Sequence, residues 1–271
     1  SRAASSFMLR RTFPQLLRIK LPGELTAWTA AGFARNRDSD DMALGVGGVD
    51  IGVGAAGSVP SWGWRDGPDV RDGSKDGPKA VWDAMDDGWC ELDVDGVSTA
   101  VDNISDADYD ELQQQRAALA MPHPNGATSI YSLTVTTPDL HRTIGAFERS
   151  GLELRRLSDP SPFSSSLAMA FFKLGMPGAE QVLLELVAPR EPGTAVSLPG
   201  LPPLEASRDA PAAIAGMVVA VPRLEALADV VGPDNVGRSR PAVQGMGRMI
   251  APLRHEKLGL MPLAFITPPT E

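Results

Sequence analysis

Apolar and polar side chains alternate along residues 131–136, where every second position is apolar. This period of two predicts a β-strand with one buried face. Pro138 ends the strand, and Asp139 is a residue type that caps the N-terminus of a helix. Apolar residues then recur at helical spacing up to Gly151, a residue type that commonly ends helices. The segment therefore predicts a strand, a short helix and a second strand that begins directly after this glycine.

The same pattern recurs along the chain, in copies that begin near residues 16, 89, 131 and 216. The copy near residue 89 is the weakest and has Asp95-Gly96 where the others have a proline. The clear copies are followed by further strand-like segments, at 42–46, 49–53, 167–174, 181–187, 248–253 and 262–267. The chain therefore predicts about four strand-helix-strand-strand-strand (βαβββ) modules, one of them incomplete.

Four stretches carry a resemblance to a known superfamily. They read V-T-T-P-D-L-H-R-T-I-G-A-F at 135–147, L-L-E-L-V-A-P at 183–189, V-A-V-P-R-L-E-A-L at 219–227 and P-L-A-F-I-T-P at 262–268. In these stretches and in its recurring module the chain resembles the vicinal oxygen chelate (VOC) superfamily, in particular its glyoxalase-like and bleomycin-resistance-like members. The resemblance implies an α+β fold in which tandem βαβββ modules pair, so that their curved sheets form a cleft for a metal ion or a small ligand.

The resemblance divides the chain into two unequal parts. Residues 128–268 are expected to form a complete VOC domain, and residues 14–120 a trimmed, degenerate copy, because the strands that should complete its last module are not visible. A helix is predicted over 106–119, with Ser105 as its cap. The segment 121–127, which contains proline and glycine, is expected to link the two domains.

Residues 58–78 contain three Asp-Gly pairs and several prolines, so we expect them to form a long acidic surface loop. Tryptophan is unusual in so polar a segment, and Trp62 and Trp64 are expected to anchor the loop to the domain or to a partner protein. The Asp-Gly pairs lack the alternating carboxylates and the closing glutamate of a calcium-binding loop. The pattern therefore disfavours calcium binding.

Residues 1–13 form a basic arm rich in serine and alanine, and no acidic residue precedes Glu24. This composition is typical of the remnant of a transit peptide, which would place the protein in an organelle, either a mitochondrion or a plastid. An ordinary basic tail on a cytoplasmic protein is the alternative.

The chain as a whole is acidic, with a net charge of −9 at pH 7. Such a balance disfavours a nucleic acid as partner, because phosphate binding needs clustered lysine and arginine. It is typical of a soluble protein or of one that docks to a basic protein surface. No apolar run approaches the roughly 20 residues of a transmembrane helix. The single cysteine, Cys90, leaves no disulfide within these residues and is typical of a reducing compartment.

The VOC resemblance also implies positions for metal ligands: His or Gln early in the first strand of a module and Glu in its last strand. The first-strand positions here hold Leu16, Trp89, Ser132 and Gly216, and the last-strand positions hold Gly52, Glu185 and Ala264. Only Glu185 has a ligand atom of the expected kind, and one carboxylate does not hold a catalytic divalent ion. No metal cofactor is therefore expected.

A cleft around Glu185 is the candidate functional site. Its predicted lining is Ser132, Thr134, Phe171, Arg248 and, at the border, His255. Arg248 is the expected ion-pair partner of Glu185, because a carboxylate between apolar strands is costly to ionise without a partner. Glu185 is then either a general base or ligand anchor, or one half of a structural ion pair. His123 in the linker and His141 on the helix are not candidates.

Three functions remain open. The first is a catalytically degenerate glyoxalase-like protein, a pseudoenzyme, with a structural or binding role as an accessory subunit of a larger organellar assembly. The second is a VOC isomerase, lyase or dioxygenase with a divalent metal. The third is a metal-free protein that binds a small molecule in the sheet cleft.

Overall fold

The computed structural model describes residues 14–35, 44–54, 60–65, 89–102, 104–175, 181–197, 200–204, 207–243 and 245–270. The predicted basic arm 1–13 and most of the predicted loop 58–78 lie outside these residues. The described part of the chain contains no helix of the length and apolarity that a membrane crossing requires.

The N-terminal part forms a six-stranded sheet with the order β2-β3-β1-β4-β6-β5. Its elements are β1 (Gln15–Pro22), α1 (Leu25–Ala30), β2 (Leu44–Val46), β3 (Val49–Gly54), β4 (Ser61–Arg65), β5 (Trp89–Val94), β6 (Val97–Asp102) and α2 (Asp106–Leu119). β1 runs parallel to β3 and β4 parallel to β6, and the two units join through the antiparallel pair β1/β4. Each unit contributes three described strands.

The copy of the module that was predicted to begin near residue 89 instead begins with β4. The sequence S-W-G-W-R of β4 alternates as a strand does. Because prolines and Asp-Gly pairs surround it, the segment was predicted to be a loop. The segment 89–102 supplies the last two strands of that unit, with Asp95 and Gly96 in the turn between them.

The C-terminal part forms an eight-stranded sheet with the order β12-β13-β14-β11-β7-β10-β9-β8. Its elements are β7 (Ser129–Thr136), α3 (Leu140–Arg149), β8 (Leu154–Ser158), β9 (Leu167–Leu174), β10 (Val182–Pro189), β11 (Ala213–Ala220), α4 (Leu227–Val231), β12 (Arg240–Pro241), β13 (Met249–Pro252), α5 (His255–Leu258) and β14 (Leu263–Ile266). β7 is parallel to β10 and β11 to β14, and β7 pairs with β11 antiparallel. The predicted α+β fold of tandem βαβββ modules is confirmed.

One apolar core joins the two sheets, and α3 lies between them. The ring of Phe147 on α3 has its centre 5.8 Å from that of Trp62 on β4 and 5.4 Å from that of Phe172 on β9. On the other side of the core, Phe33 stacks on Phe265 of β14. Each sheet therefore turns one face towards the core and the other outward.

Trp62 and Trp64 belong to this core and do not face a partner protein. Their exposed fractions are 2% and 0%. The indole N–H of Trp62 donates to the Thr99 hydroxyl at 2.7 Å, which satisfies its polar atom inside the protein. The prediction that these rings dock a partner is therefore wrong, because their strand turns them inward.

The predicted linker, residues 121–127, is hydrogen-bonded to residues that follow α1. Asn125 is buried; its side chain donates to the Ala31 carbonyl at 2.9 Å and its backbone N–H donates to the Gly32 carbonyl at 3.1 Å. The Nδ1 atom of His123 accepts a hydrogen bond from the backbone of Ala34. These bonds seat the linker on the end of α1.

Candidate functional site

Three predicted cleft residues lie in one row across the outward face of the C-terminal sheet. Glu185 on β10 is paired with Phe171 on β9 and with Thr134 on β7. Thr134 is paired in turn with Gly216 on β11. Strands of period two that pair in this register place all four residues on the same face.

The next row holds the remaining two positions that the VOC resemblance implied for metal ligands. Ser132 on β7 is paired with Val218 on β11, and Val218 with Ala264 on β14. The four implied positions are therefore neighbours on the adjacent strands β10, β7, β11 and β14, at Glu185, Ser132, Gly216 and Ala264.

The atoms at these four positions do not fit a divalent metal. Gly216 and Ala264 have no ligand atom, and Ser132 offers a fully buried hydroxyl that has no hydrogen-bond partner within the described residues. Glu185 is the one carboxylate of the set. No group of three or more His, Cys, Asp or Glu side chains is placed to hold a metal ion anywhere in the described ranges. A catalytic zinc site needs three protein ligands and an open position, and these residues do not supply them.

A segment of the same chain crosses this outward face. We call the described residues of the connection from β10 to β11, which are 190–197, 200–204 and 207–212, the strap. Leu204 of the strap packs against Leu167, Met169 and Val187 on the outward face. Val196 and Leu204 pair with each other through backbone hydrogen bonds of 3.0 and 3.4 Å, which closes the strap into a narrow loop.

The strap also covers the position of Gly216. A Cβ atom added at Gly216 would lie 3.0 Å from Leu201 Cδ2 and 3.5 Å from the Pro262 carbonyl oxygen. The apolar side chain of Leu201 therefore lies where the substrate side of a VOC cleft is expected. A side chain larger than hydrogen at residue 216 would push against it.

A cavity of about 450 Å³ opens at the end of the C-terminal sheet where β7 begins and β11 ends. Tyr131, Arg248 and Gln181 give it polar atoms, and Pro222, Pro268 and Pro269 are among its apolar walls. The guanidinium carbon of Arg248 lies 5.2 Å from the centre of the Tyr131 ring. This distance is that of a cation–π contact.

Burial raises the pKa of the Tyr131 phenol above its ordinary value. The positive charge of Arg248 works against this rise, and the negative charge of Glu185 adds to it. Tyr131 therefore keeps its proton at neutral pH and is available as a hydrogen-bond donor.

The expected ion pair between Glu185 and Arg248 is not formed. Arg248 instead has its guanidinium carbon over the Tyr131 ring. Tyr131 lies at a register shift between β7 and β11. The sequence did not point to Tyr131, since a strand irregularity has no clear local signal.

His255 lies away from this cavity. It begins α5, a short helix beside the 3₁₀ turn Pro233–Asn235, and its Nε2 atom lies 3.3 Å from the carboxylate of Glu256. Its neighbour Arg254 is exposed and donates its backbone N–H to the Asn235 carbonyl at 2.8 Å. His255 is not among the residues that line this cavity, and its place at the border of the cleft stays a prediction. His141 is exposed on α3.

A second groove, of about 380 Å³, lies on the outward face of the N-terminal sheet. Its charged residues are Arg18, Lys20, Glu91 and Asp102. Arg18 and Asp102 form an ion pair of 2.8 Å, and burial raises the pKa of Asp102 despite this partner. Charged residues that alternate with leucine and isoleucine in β1 were a usable signal for this groove.

No protein-family model and no curated protein matches the sequence. Several solved structures are similar in fold. Methylmalonyl-CoA epimerase from Mycobacterium tuberculosis is 16% identical, with a TM-score of 0.38, over 55% of this chain and 94% of that chain. A variant of Streptomyces coelicolor methylmalonyl-CoA epimerase, in complex with 2-nitronate-propionyl-CoA, is 14% identical over 52% and 97%, with a TM-score of 0.37. A hypothetical protein from Bacillus halodurans C-125 is 13% identical over 53% and 96%, with a TM-score of 0.36.

The strand connections of this chain decide the fold. In both modules of the C-terminal sheet the first strand runs parallel to the last, and the two first strands pair antiparallel. The chain has the vicinal oxygen chelate fold. In this chain the outward face that carries Glu185 is covered in part by the strap.

Proposed function

We propose that this chain is a catalytically degenerate VOC-fold protein with a structural or binding role. The observation that carries the proposal is the position of Leu201 over Gly216, at one of the four implied ligand positions. A metal-dependent VOC enzyme needs several convergent ligands and an open position for substrate. Here a leucine of the same chain takes up that space, and the other positions supply one carboxylate and one hydroxyl.

We further propose that the role is that of an accessory subunit in a larger organellar assembly. Surface apolar residues support a protein partner: Leu157, Phe163, Val243 and Met246 are 47%, 54%, 58% and 69% exposed. Leu157 lies on β8, the edge strand of the C-terminal sheet, and an open edge strand can pair with another chain. The acidic net charge favours a basic partner surface.

The test is the metal content and the native mass of the protein, purified from its source without chelator. We expect less than about one tenth of a transition metal per chain, and a particle much larger than the 28.6 kDa of this sequence. A Glu185→Ala variant should leave both quantities unchanged. About one metal per chain, lost in that variant, would overturn the proposal and favour a VOC isomerase, lyase or dioxygenase.

The cavity beside Tyr131 favours a second candidate function, that of a metal-free protein that binds a small molecule. Its volume of about 450 Å³ is in the range of ordinary ligand pockets. For this function we expect a free monomer, and a melting temperature that a ligand raises equally with and without chelator.

A further inference from the structure

We propose that the cavity beside Tyr131 binds a small organic monocarboxylate with an apolar body. The inference rests on the second candidate function, because it names the class of ligand for that cavity. It depends on the geometry around Arg248, and on none of the four positions of the implied metal site.

Arg248 supplies a cation that forms no ion pair with a carboxylate of the described residues. It lines the cavity, and its guanidinium carbon lies over the Tyr131 ring, 5.2 Å from the ring centre. An arginine fork binds a carboxylate through two parallel hydrogen bonds. The Tyr131 hydroxyl, which keeps its proton, is a further donor in the same cavity.

Backbone hydrogen bonds hold the described residues that precede β13, Arg248 among them. The backbone N–H of Ala242 donates to the Arg248 carbonyl, and that of Arg248 donates to the Gly245 carbonyl, at 2.9 and 3.2 Å. The backbone N–H of Thr270 donates a hydrogen bond of 3.0 Å to the Met246 carbonyl and so connects this loop to the C-terminal segment. A Cβ atom at Gly247 would collide with Thr270, so the two segments pack closely. Arg248 is therefore positioned before a ligand arrives, which lowers the entropic cost of binding.

The remaining walls suit an apolar body. Ile130, Val221, Pro222, Pro268 and Pro269 line the cavity. The two other polar side chains are already engaged: the Thr128 hydroxyl donates to the Ala220 carbonyl at 3.1 Å, and the Gln181 amide to the Gly175 carbonyl at 2.9 Å. The ligand therefore meets its polar contacts mainly at the end near Arg248.

A single guanidinium group sets the charge of the ligand. Among the described residues that line the cavity, Arg248 is the one charged side chain, and its fork binds one carboxylate. The cavity therefore favours a monoanion.

The experiment is calorimetric titration of the whole chain with phenylacetate, benzoate and hexanoate. Phenylacetamide serves as the neutral isostere, phenethylamine as the cation and inorganic phosphate as the dianion. We expect the carboxylates to bind at least tenfold more tightly than the other three probes. Arg248→Gln should weaken carboxylate binding at least tenfold, and Arg248→Lys less. Arg240→Gln removes an exposed charge from β12 and should leave the affinity unchanged.

Circular dichroism and the melting temperature establish that each variant is folded, and the Arg248→Lys variant provides a second measurement if Arg248→Gln is unstable. Equal binding of phenylacetamide and phenylacetate, equal affinity of the Arg248→Gln variant, or no binding by any of the three carboxylates would overturn the inference. Metal content and native mass are measured separately, so a failure of the accessory-subunit proposal is distinguishable from a failure here.

Discussion

His123 is held by two backbone groups in a single protonation state. Its Nδ1 atom accepts from the Ala34 N–H at 2.9 Å, and its Nε2 atom lies 2.7 Å from the Gly45 carbonyl oxygen, to which it donates. This arrangement requires the neutral ring. Burial lowers the pKa of His123 below the ordinary value of 6.5.

The pKa of His123 makes stability depend on pH. Just below pH 6.5 the unfolded chain binds a proton that the folded chain does not, so the free energy of unfolding falls as pH falls. We expect His123→Gln to be less stable at neutral pH but to lose less stability between pH 7.5 and 5.5. Urea unfolding at both pH values measures this. His141→Gln, at an exposed position, is the control, and an unchanged slope in His123→Gln would contradict the prediction.

Asp139 caps α3, as its sequence position indicated. Its Oδ1 atom accepts from the Arg142 N–H at 3.1 Å, and this bond holds the pKa of Asp139 below its usual range. The ionised cap therefore adds stability above pH 3.8, and this contribution is lost as pH falls further.

We expect Asp139→Ala to lower the free energy of unfolding by about 1 kcal/mol at pH 7, and Asp139→Asn by less, because asparagine also caps helices. Chemical denaturation at pH 7 measures both changes. Equal losses in the two variants would show that the charge rather than the cap is responsible.

At the scale of elements, β4 shows why part of the N-terminal sheet was not predicted. The strand is five residues long and is flanked by turn-forming residues, so local signals favoured a loop. The inward direction of Trp62 and Trp64 depends on the pairing of β4 with β1 and β6, which local sequence does not specify. By contrast, β7 and α3 were predictable because Pro138, Asp139 and Gly151 mark their ends.

Trp62 provides a direct test of this correction. We expect Trp62→Ala to lower the free energy of unfolding by about 3–5 kcal/mol, because it opens a cavity beside Phe147. Trp62→Phe should cost less, since Thr99 keeps its bond to the Val97 carbonyl. Leu157→Ala, at an exposed site, should change stability by no more than about 0.5 kcal/mol. Denaturant unfolding compares the three variants. An unchanged free energy of unfolding in Trp62→Ala would contradict the buried position of the ring and favour the prediction of a surface anchor.

The candidate site was predictable only in part, for a similar reason. The row of Phe171, Glu185 and Thr134 followed from strand period and module pairing. Leu201, which covers Gly216, and Arg248, which lies over Tyr131, are both carried by loops. The path of a loop depends on the whole fold, so local sequence does not predict these contacts. Sequence reasoning therefore indicated which residues share this face of the sheet, and it missed the segments that lie above the face and at its end. The role of these residues as a cleft stays a prediction.

At the scale of the whole molecule, each sheet has a segment of the chain on its outward face. The strap covers the C-terminal sheet. α2 is bound to the N-terminal sheet by Arg116, whose guanidinium donates to the Gly48 and Leu17 carbonyls at 2.8 and 3.1 Å and pairs with Asp50. Both outward faces are thus partly covered by segments of this chain.

Asp95 connects these parts of the molecule. It lies in the turn between β5 and β6, and its carboxylate pairs with Arg142 on α3 at 2.7 Å. Arg142 also donates to the Ala210 carbonyl at 2.7 Å, and the Ala212 N–H donates to the Asp95 carbonyl at 2.7 Å. One ion pair therefore joins the N-terminal sheet, the helix layer and the end of the strap.

We expect a coupling free energy of about 1–3 kcal/mol between Asp95→Asn and Arg142→Gln in a double-mutant cycle. Asparagine tolerates the left-handed backbone of residue 95, which has a φ of 55°, so the substitution removes charge without backbone strain. The exposed pair Arg190–Asp159 is the matched control, and its coupling should stay below about 1 kcal/mol.

Hydrogen exchange provides the second measurement of this junction. If Asp95 holds the strap, exchange of the Ala212 amide should become at least tenfold faster in Asp95→Asn, while amides of β9 keep their protection. A coupling no larger than that of the control pair, with unchanged exchange at Ala212, would mean that the apolar contacts of Leu201 and Leu204 hold the strap alone. The cover of the C-terminal cleft would then be independent of the N-terminal sheet.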